Sequence, residues 1–388
     1  MSDLYLSAPS LLTPIGHSVE AVATSLFSGK VGLTAQQGLL LDETPAWVGK
    51  VTAPLSPLPA AFSHLDCRNT RMLRQVLDGL KADIDWAMAE YGQDRIGVVL
   101  GSSTAGIDVG EQALVHWQQH RRLPESFNYD VQTLGSVARF ASDYLGISGP
   151  SYTLSTACSS SGKAFASAWR LIQTGLADAV VVGGVDSLCR LTLNGFSALE
   201  SVSSKLCSPF SEGRQGINIG EGAAVFLLSR RNSAVKLAGV GESSDGYHIS
   251  APDPEGKGAE LAMNQALAQA GLDVSNIDYV NLHGTGTVKN DAMEAALVAR
   301  FFSHKPLVSS SKAQVGHCLG AAGALEAAFC YLALLANTAP PQVWQAPYDS
   351  QLPPLNFAEV GQQTPLRHVM SNSYAFGGSN VSVIFSHV

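Results

Sequence analysis

Short β-branched runs alternate with amphipathic or small-residue segments along most of the chain. In the first part, this pattern predicts strands and helices in alternation. The predicted bounds are 95–100 for a strand, 131–145 for a helix, 151–155 for a strand, 162–174 for a helix and 179–182 for a strand. Strands that alternate with helices are typical of a parallel sheet with crossover helices, so we expect an α/β fold.

A second round of the same pattern follows a predicted strand at 223–228. It predicts strands at 235–240, 277–282, 307–310 and 380–386, and helices at 257–270, 290–302 and 321–337. In both rounds a Ser-rich strand end leads into a helix rich in Ala and Gly, at 151–174 and again at 309–337. This correspondence indicates an internal duplication.

A short polar break, Arg230 to Asn232, separates the two rounds. We therefore predict an N-terminal half at 1–231 and a C-terminal half at 232–388. The sequence between them has no composition typical of a flexible linker, so the halves are expected to form one fused core. The most apolar segment, Leu319 to Ala336, contains Glu326 and many small residues, which favours a core helix over a membrane span.

Composition narrows the class of protein. With 388 residues, 46% hydrophobic and 14% charged, the chain can bury a large core. Its formal charge of −8 argues against nucleic acid as the main partner. The six cysteines include no CxxC pair, and the start of the chain lacks a basic region followed by an apolar one. We therefore expect reduced thiols in a cytoplasmic protein.

Cys158 lies where a predicted strand gives way to a small-residue helix, in the order Ser-Thr-Ala-Cys-Ser-Ser-Ser-Gly over 155–162. Its sulfur would face the partial positive charge of a helix N-terminus, which favours the nucleophilic thiolate. The segment therefore suggests covalent catalysis. The alternative is a buried cysteine that acts only as a small apolar residue.

Two histidines lie at similar junctions. His283 begins the order His-Gly-Thr-Gly-Thr after a β-rich run, and His317 follows a second such run and precedes a helix. Strand-to-helix junctions are where α/β folds build their sites. As alternatives, either histidine could be a core or capping residue, or the two could form a zinc site with Cys158. No short ligand spacing supports zinc, so we predict no metal.

These motifs together resemble the elongating β-ketoacyl-acyl carrier protein synthases of the thiolase superfamily. The resemblance rests on the Cys158 segment, the His283 segment, Lys312 four residues before Gly316, and the order Asn-Ser-Tyr-Ala-Phe-Gly-Gly-Ser-Asn over 372–380. It extends over nearly the whole chain. It implies a duplicated five-layer α-β-α-β-α architecture.

The resemblance also implies a reaction, the decarboxylative Claisen condensation. Cys158 would take an acyl group from a carrier thioester, and His283 and His317 would stabilise the enolate formed when malonyl-acyl carrier protein loses CO₂. The backbone N–H groups of Cys158 and Phe376 would form the second oxyanion hole. Lys312 and Glu326 would order the histidines, and Glu326, inside an apolar helix, should have a partner for its charge.

Further roles follow from the same resemblance. Thr285 and Thr287 would bind the phosphopantetheine arm, with helix N-capping as the alternative, and Phe196 and Phe376 would line or gate the acyl pocket, with core packing as the alternative. The arm is carried by the substrate, so no cofactor of the enzyme itself is expected. For recruitment of an acidic carrier protein, we predict a basic surface consisting of Arg68, Arg71, Arg74, Arg121 and Arg122, with an ordinary solvated helix face as the alternative.

Two features depart from synthases of primary lipid metabolism: the opening Leu4 to Pro9 and the Gly162-Lys163 step. They favour a specialised role, such as an iterative polyketide or aryl-polyene pathway. A homodimer and a heterodimer with a chain-length factor both remain open. The chain could itself be a non-catalytic chain-length factor, but Cys158 and the histidines argue against that. A coenzyme A-dependent thiolase would need a second cysteine near the C-terminus, and the Gly377-Gly378 region has none.

Overall fold

The computed structural model describes residues 3–388. Residues 1 and 2 lie outside this range. They belong to the predicted N-terminal half and to the N-terminal segment in which we predicted no export signal. Within it, the strands are β1 (Tyr5–Leu6), β2 (Ser10–Leu12), β3 (Leu33–Gln36), β4 (Ala46–Gly49), β5 (Ile96–Gly101), β6 (Ser151–Leu154), β7 (Ala179–Asp186), β8 (Ile219–Gly220), β9 (Gly222–Ser229), β10 (Val235–Ser244), β11 (Tyr279–Asn281), β12 (Leu307–Ser309), β13 (His368–Tyr374) and β14 (Ser379–His387).

The α-helices of the same range connect these strands. They are α1 (Val19–Phe27), α2 (Arg68–Gly79), α3 (Lys81–Tyr91), α4 (Ile107–His120), α5 (Ser136–Leu145), α6 (Ser160–Gln173), α7 (Arg190–Ala198), α8 (Lys257–Ala270), α9 (Val288–Phe301), α10 (Lys312–Val315) and α11 (Ala322–Ala336). The helix predicted at 131–145 begins only at Ser136, because the preceding residues form a 3₁₀ turn at Tyr129–Gln132.

Eleven strands form one sheet in which β1 pairs with both β9 and β10. β1 connects two sets of five strands, in the orders β6-β5-β7-β9-β2 and β12-β11-β13-β14-β10, and β2 pairs with the same edge of β9 as β1 does. If each set is numbered along the chain, both orders read 3-2-4-5-1. The repeated order is what a duplication would produce. The predicted division at residue 231 falls in the connection between β9 and β10 and remains a prediction.

The prediction of a parallel sheet is wrong for part of each half. The strands β5, β6 and β7 are parallel, as are β11, β12 and β13, whereas β9, β10 and β14 pair antiparallel with their neighbours. The clearest cause lies between β13 and β14, where only residues 375–378 connect the strands. A connection this short closes a hairpin, because a parallel neighbour requires a crossover of a dozen or more residues.

Three hydrophobic clusters produce five layers. Helices α2, α3 and α5 cover one face of the N-terminal strands, α8 and α9 cover one face of the C-terminal strands, and α6 and α11 pack between the two sets. The expected α-β-α-β-α architecture is confirmed. At the contact of α6 with α11, a Cβ on Gly323 would lie 2.7 Å from the backbone nitrogen of Gly162, so the two central helices meet backbone to backbone.

The segment Leu319–Ala336 has the length and mean hydropathy, 1.7, of a helix that could cross a membrane. However, 89% of it is buried inside the protein, where α11 belongs to the central layer. This placement is the core position predicted from its small residues and from Glu326.

Candidate active site

Cys158 lies at a sharp turn between β6 and α6. The turn requires Ala157 to adopt a φ of 52°, and Ser160 closes it by accepting a hydrogen bond from Thr156 N at 2.9 Å and donating one to Ala157 O at 2.6 Å. The Cys158 side chain is therefore presented immediately before the first turn of α6, as predicted. It is buried, with 4% of its surface exposed.

His317 contacts the sulfur directly. Its Nε2 lies 2.9 Å from Cys158 Sγ. The sequence suggested that His317 follows a strand directly. Instead, the short helix α10 lies between β12 and His317, and its C-cap residue is Gly316, which has a φ of 77°. His317 N donates to Asn218 O at 2.7 Å, which ties the segment to the N-terminal half.

His283 completes the group at the end of β11. Its ring is nearly perpendicular to that of His317, with centroids 5.5 Å apart. Cys158 Sγ and one ring nitrogen of each histidine all lie within 4.8 Å of one another. Three residues far apart in sequence thus converge on one point, which is the arrangement required if one thioester is to meet all three.

Burial dominates the electrostatics of these groups. It raises the pKa of the Cys158 thiol to about 11, against the lowering effects of the Lys312 ammonium and of the backbone N–H groups of Phe376 and Cys158. Burial also lowers the pKa of His283 and of His317 well below the usual value, and Lys312 acts in the same direction. Both imidazoles are therefore neutral at pH 7 and can donate an N–H without carrying charge.

Lys312 and Glu326 form a buried ion pair behind His283. Lys312 Nζ lies 2.6 Å from Glu326 Oε1, and the two side chains are 1% and 3% exposed. The same ammonium donates a hydrogen bond to His283 O. Glu326 thus has the charged partner that its position required, and Lys312 is a buried residue of α10 rather than a solvated loop residue.

Two acidic residues of α9 support the His283 segment and were not identified from the sequence. Glu294 accepts hydrogen bonds from His283 N and Gly284 N, both at 2.7 Å, and Asp291 accepts one from Gly286 N at 3.2 Å. Burial raises the pKa of Glu294 to about 8, although the two N–H donors lower it. The available signal was their i,i+3 spacing in the first turns of a helix that begins just after His283.

A cavity of about 270 Å³ opens above the sulfur. Cys158, His283, His317, Phe196, Phe376 and Thr285 are among its lining residues. The Phe196 and Phe376 rings face each other with centroids 5.6 Å apart. The backbone N–H groups of Phe376 and of Cys158 both lower the pKa of the thiol, and their role as oxyanion donors stays a prediction.

Thr285 and Thr287 line the same cavity, with their Oγ1 atoms 2.9 Å apart. Thr287 is the N-cap residue of α9, yet its side chain makes no capping hydrogen bond among the described residues. This geometry weakens the alternative that both threonines serve only as helix caps. Both hydroxyls are close enough to the cavity for one incoming group to contact the pair.

The two groups of predicted docking arginines differ in whether their side chains pair with carboxylates. Arg68, Arg71 and Arg74 lie on α2 but pair with Glu221, Asp66 and Asp78. Arg68 contacts both oxygens of the fully buried Glu221 carboxylate, which argues against the predicted docking role for Arg68. Arg121 and Arg122 are exposed at the end of α4, and neither pairs with a carboxylate in the described range.

The zinc alternative does not fit the histidine environments. A zinc-bound histidine usually donates its other ring N–H to a carboxylate or carbonyl, which fixes the tautomer. Nδ1 of His283 and Nδ1 of His317 are both buried without a hydrogen-bond partner within residues 3–388. The trio therefore matches a nucleophile with two neutral donors better than it matches a metal centre.

Comparison with known proteins identifies the family. The chain matches the family model described as beta-ketoacyl synthase, N-terminal domain, over residues 9–234, and the beta-ketoacyl synthase, C-terminal domain, over residues 234–345. It belongs to the β-ketoacyl synthase family, whose members are acyltransferases that form carbon–carbon bonds. The family predicted from the motifs is confirmed.

Relatives match along nearly their full length. The mitochondrial 3-oxoacyl-[acyl-carrier-protein] synthase of Arabidopsis thaliana is 32% identical over 428 residues, covering 97% of this chain and 92% of that protein. The 3-oxoacyl-[acyl-carrier-protein] synthase 2 of Staphylococcus aureus strain COL is 32% identical over 405 residues, covering 96% of this chain and 95% of that protein.

Solved structures share this fold. A chain of the ketosynthase ApeO in complex with its chain length factor ApeC, from Xenorhabdus doucetiae, superposes with a TM-score of 0.95 at 42% identity, covering 100% of this chain and 98% of that one. A β-ketoacyl synthase from Burkholderia phymatum superposes with a TM-score of 0.88 at 27% identity, and both chains are covered completely.

Proposed function

We propose that this chain is an elongating β-ketoacyl-acyl carrier protein synthase that extends a fatty acyl, polyketide or polyene chain by two carbons. The observation that carries the proposal is the convergence of Cys158 Sγ with His283 and His317 within 4.8 Å at the base of one cavity. A chain-length factor without catalysis would not need this trio. In a thiolase a second cysteine would act as base, and within residues 3–388 Cys158 is the one cysteine that lines this cavity.

The first half-reaction transfers the acyl group. Cys158 Sγ attacks the acyl thioester carbon, the bond to the carrier thiol breaks, and that thiol leaves with a proton. The thiol proton of Cys158 passes to His317 Nε2, which lies 2.9 Å from the sulfur, and His317 then gives that proton to the departing carrier thiol. The N–H groups of Cys158 and Phe376 would stabilise the oxyanion of the tetrahedral intermediate.

The second half-reaction forms the carbon–carbon bond. The bond between the malonyl Cα and its carboxylate breaks, CO₂ leaves, and the electron pair forms an enolate whose oxygen accepts hydrogen bonds from His283 and His317. The enolate carbon then attacks the acyl carbon on Cys158, and Sγ leaves. Neutral imidazoles suit this step because they can donate to the enolate oxygen without trapping it as an ion pair with a full positive charge.

The partners follow from the same site. We infer that an acidic acyl carrier protein delivers the acyl and malonyl groups through a phosphopantetheine arm, which Thr285 and Thr287 would bind. The similarity to a ketosynthase that forms a complex with its chain length factor supports a heterodimer of this kind. We place the division between the halves at residue 231 and the protein in the cytoplasm.

The test is mass spectrometry of the protein incubated with carrier protein that bears candidate acyl groups. An acyl adduct on Cys158, lost in Cys158→Ala and retained in the control Cys189→Ala, is expected. A subsequent addition of malonyl-carrier protein should release CO₂ and a product longer by two carbons. If none of the acyl groups is transferred to Cys158, the proposal is wrong.

A further inference from the structure

The last turn of α4 brings two histidines together on the surface, away from the cavity. His116 and His120 are four residues apart, so they lie on the same face of the helix. Their ring centroids are 4.4 Å apart and their planes are tilted by 46°. Two imidazoles at this spacing can offer nitrogen lone pairs to one ion, as the histidines of helical zinc motifs do.

The end of α4 also orients one of the two rings. Arg121 adopts a left-handed conformation with φ of 56°, and its N–H bonds to Trp117 O at 2.7 Å, which turns the chain back over the helix. The carbonyl oxygen of Arg122 then lies 2.9 Å from His116 Nδ1. Because a carbonyl can only accept, Nδ1 carries the proton and Nε2 of His116 keeps its lone pair free.

This contact is the one that metal-binding histidines typically make. A ligating histidine usually donates its other ring N–H to a carboxylate or a backbone carbonyl, and the contact strengthens the ligand. The buried histidines of the catalytic trio lack such a contact, whereas His116 has it. The neighbouring Arg121 guanidinium is held over the Trp117 ring, 5.3 Å from its centroid.

We propose that His116 and His120 form a surface site for a divalent transition metal ion that prefers imidazole ligands, such as Zn²⁺. Zn²⁺ binds imidazole nitrogen at about 2.0–2.1 Å and takes water in its remaining positions where the protein leaves them open. Mg²⁺ prefers oxygen ligands and would not bind here. The site is separate from the condensation chemistry and stands whether or not that chemistry is confirmed.

The test is isothermal titration calorimetry with ZnCl₂ on the full chain. The Cys158→Ala/His317→Ala background is used, so that the buried trio retains only one possible ligand, His283. One Zn²⁺ per chain is expected, and His116→Ala or His120→Ala should weaken binding by about tenfold or more, since changes around a metal commonly cost 10–100-fold. Titration with MgCl₂ should give no binding at the same concentrations.

A matched control keeps the number of histidines constant. In the double variant His120→Ala/Gln118→His, the second ring moves to position i+2, which does not face His116. This variant should bind as weakly as His120→Ala, while His64→Ala, outside α4, should bind like the parent. Circular dichroism would show whether α4 is retained. Equal Zn²⁺ binding by the parent and by the double variant, or no binding by the parent, would overturn the site.

Discussion

Lys312 Nζ lies 2.6 Å from Glu326 Oε1 in the interior, and the same ammonium donates to the carbonyl oxygen of His283. The pair therefore connects the central helix α11 with the backbone of a histidine that faces the nucleophile. The charge of Lys312 lowers the pKa of His283 and of His317, and it offsets part of the rise that burial causes in the pKa of Cys158. Lys312 thus holds the backbone of His283 and influences the pKa of all three groups.

Removal of Lys312 should destabilise the protein as well as inactivate it. Lys312→Ala leaves Glu326 buried without a partner, and breaking such a pair costs about 3–5 kcal/mol in the free energy of unfolding. Urea denaturation measures this loss. The double variant Lys312→Met/Glu326→Leu should recover most of the stability without recovering condensation. A Lys312→Ala protein as stable as the parent would contradict the importance of the pair.

Substitution of the histidines should separate the two half-reactions. His283→Ala removes one predicted donor to the enolate oxygen, so the condensation rate should fall by roughly 10²–10³, or about 2.7–4 kcal/mol. Acylation of Cys158, followed by mass spectrometry, should change little. His317→Ala should slow both steps because its Nε2 also contacts Sγ. Equal effects of the two variants on acylation would show that this contact has no kinetic role.

The reactivity of Cys158 should increase with pH over the alkaline range. Burial raises the thiol pKa to about 11, so the thiolate fraction still rises tenfold per pH unit at pH 8 to 9. The rate of inactivation by iodoacetamide should follow this rise. The opposing effect is the field of the α6 N-terminus, which favours the thiolate. A plateau already reached at pH 7 would show that this field outweighs burial.

The two groups of arginines should respond differently to substitution. Arg121→Glu/Arg122→Glu should raise the KM for the carrier protein and reduce the salt dependence of the reaction, with stability unchanged, because both side chains are exposed. Arg68→Ala should instead reduce stability by about 3–5 kcal/mol, since it leaves the buried Glu221 carboxylate with two backbone N–H donors but no counter-charge. Steady-state kinetics and thermal unfolding of both variants distinguish the roles. An unchanged KM in the first variant would remove the docking prediction.

The contact between the central helices should not accept a methyl group. A Cβ at Gly323 would lie 2.7 Å from Gly162 N, so Gly323→Ala should cost about 1–3 kcal/mol through overpacking. The control is Gly135→Ala, where φ is −62° and no described residue beyond the adjoining backbone has an atom within 4 Å of the added carbon. That substitution should be neutral or stabilise by up to about 1 kcal/mol. Denaturant unfolding of both variants tests the difference.

Much of the site could be predicted because its chemistry is local. The turn before α6, the small residues of α6 and α11, and the strand end before His283 all depend on backbone preferences over a few residues. The same local patterns predict α8 with its exact observed bounds, Lys257–Ala270. Glu326 in an apolar helix predicts a buried partner because an unpaired charge is costly in the interior.

The sequence by itself determined the repeated α/β pattern and the position of the nucleophile Cys158 at the start of a helix. It also supplied the two histidines, His283 and His317, that the condensation would require. Only the tertiary structure decided that Arg68 forms an ion pair with Glu221 and that Glu294 accepts a hydrogen bond from the backbone of His283. It also decided that β9, β10 and β14 run antiparallel to their neighbours. These outcomes depend on contacts between residues far apart in the chain. Periodicity reports which face of an element is buried, but it does not report which distant side chain or strand lies against that face.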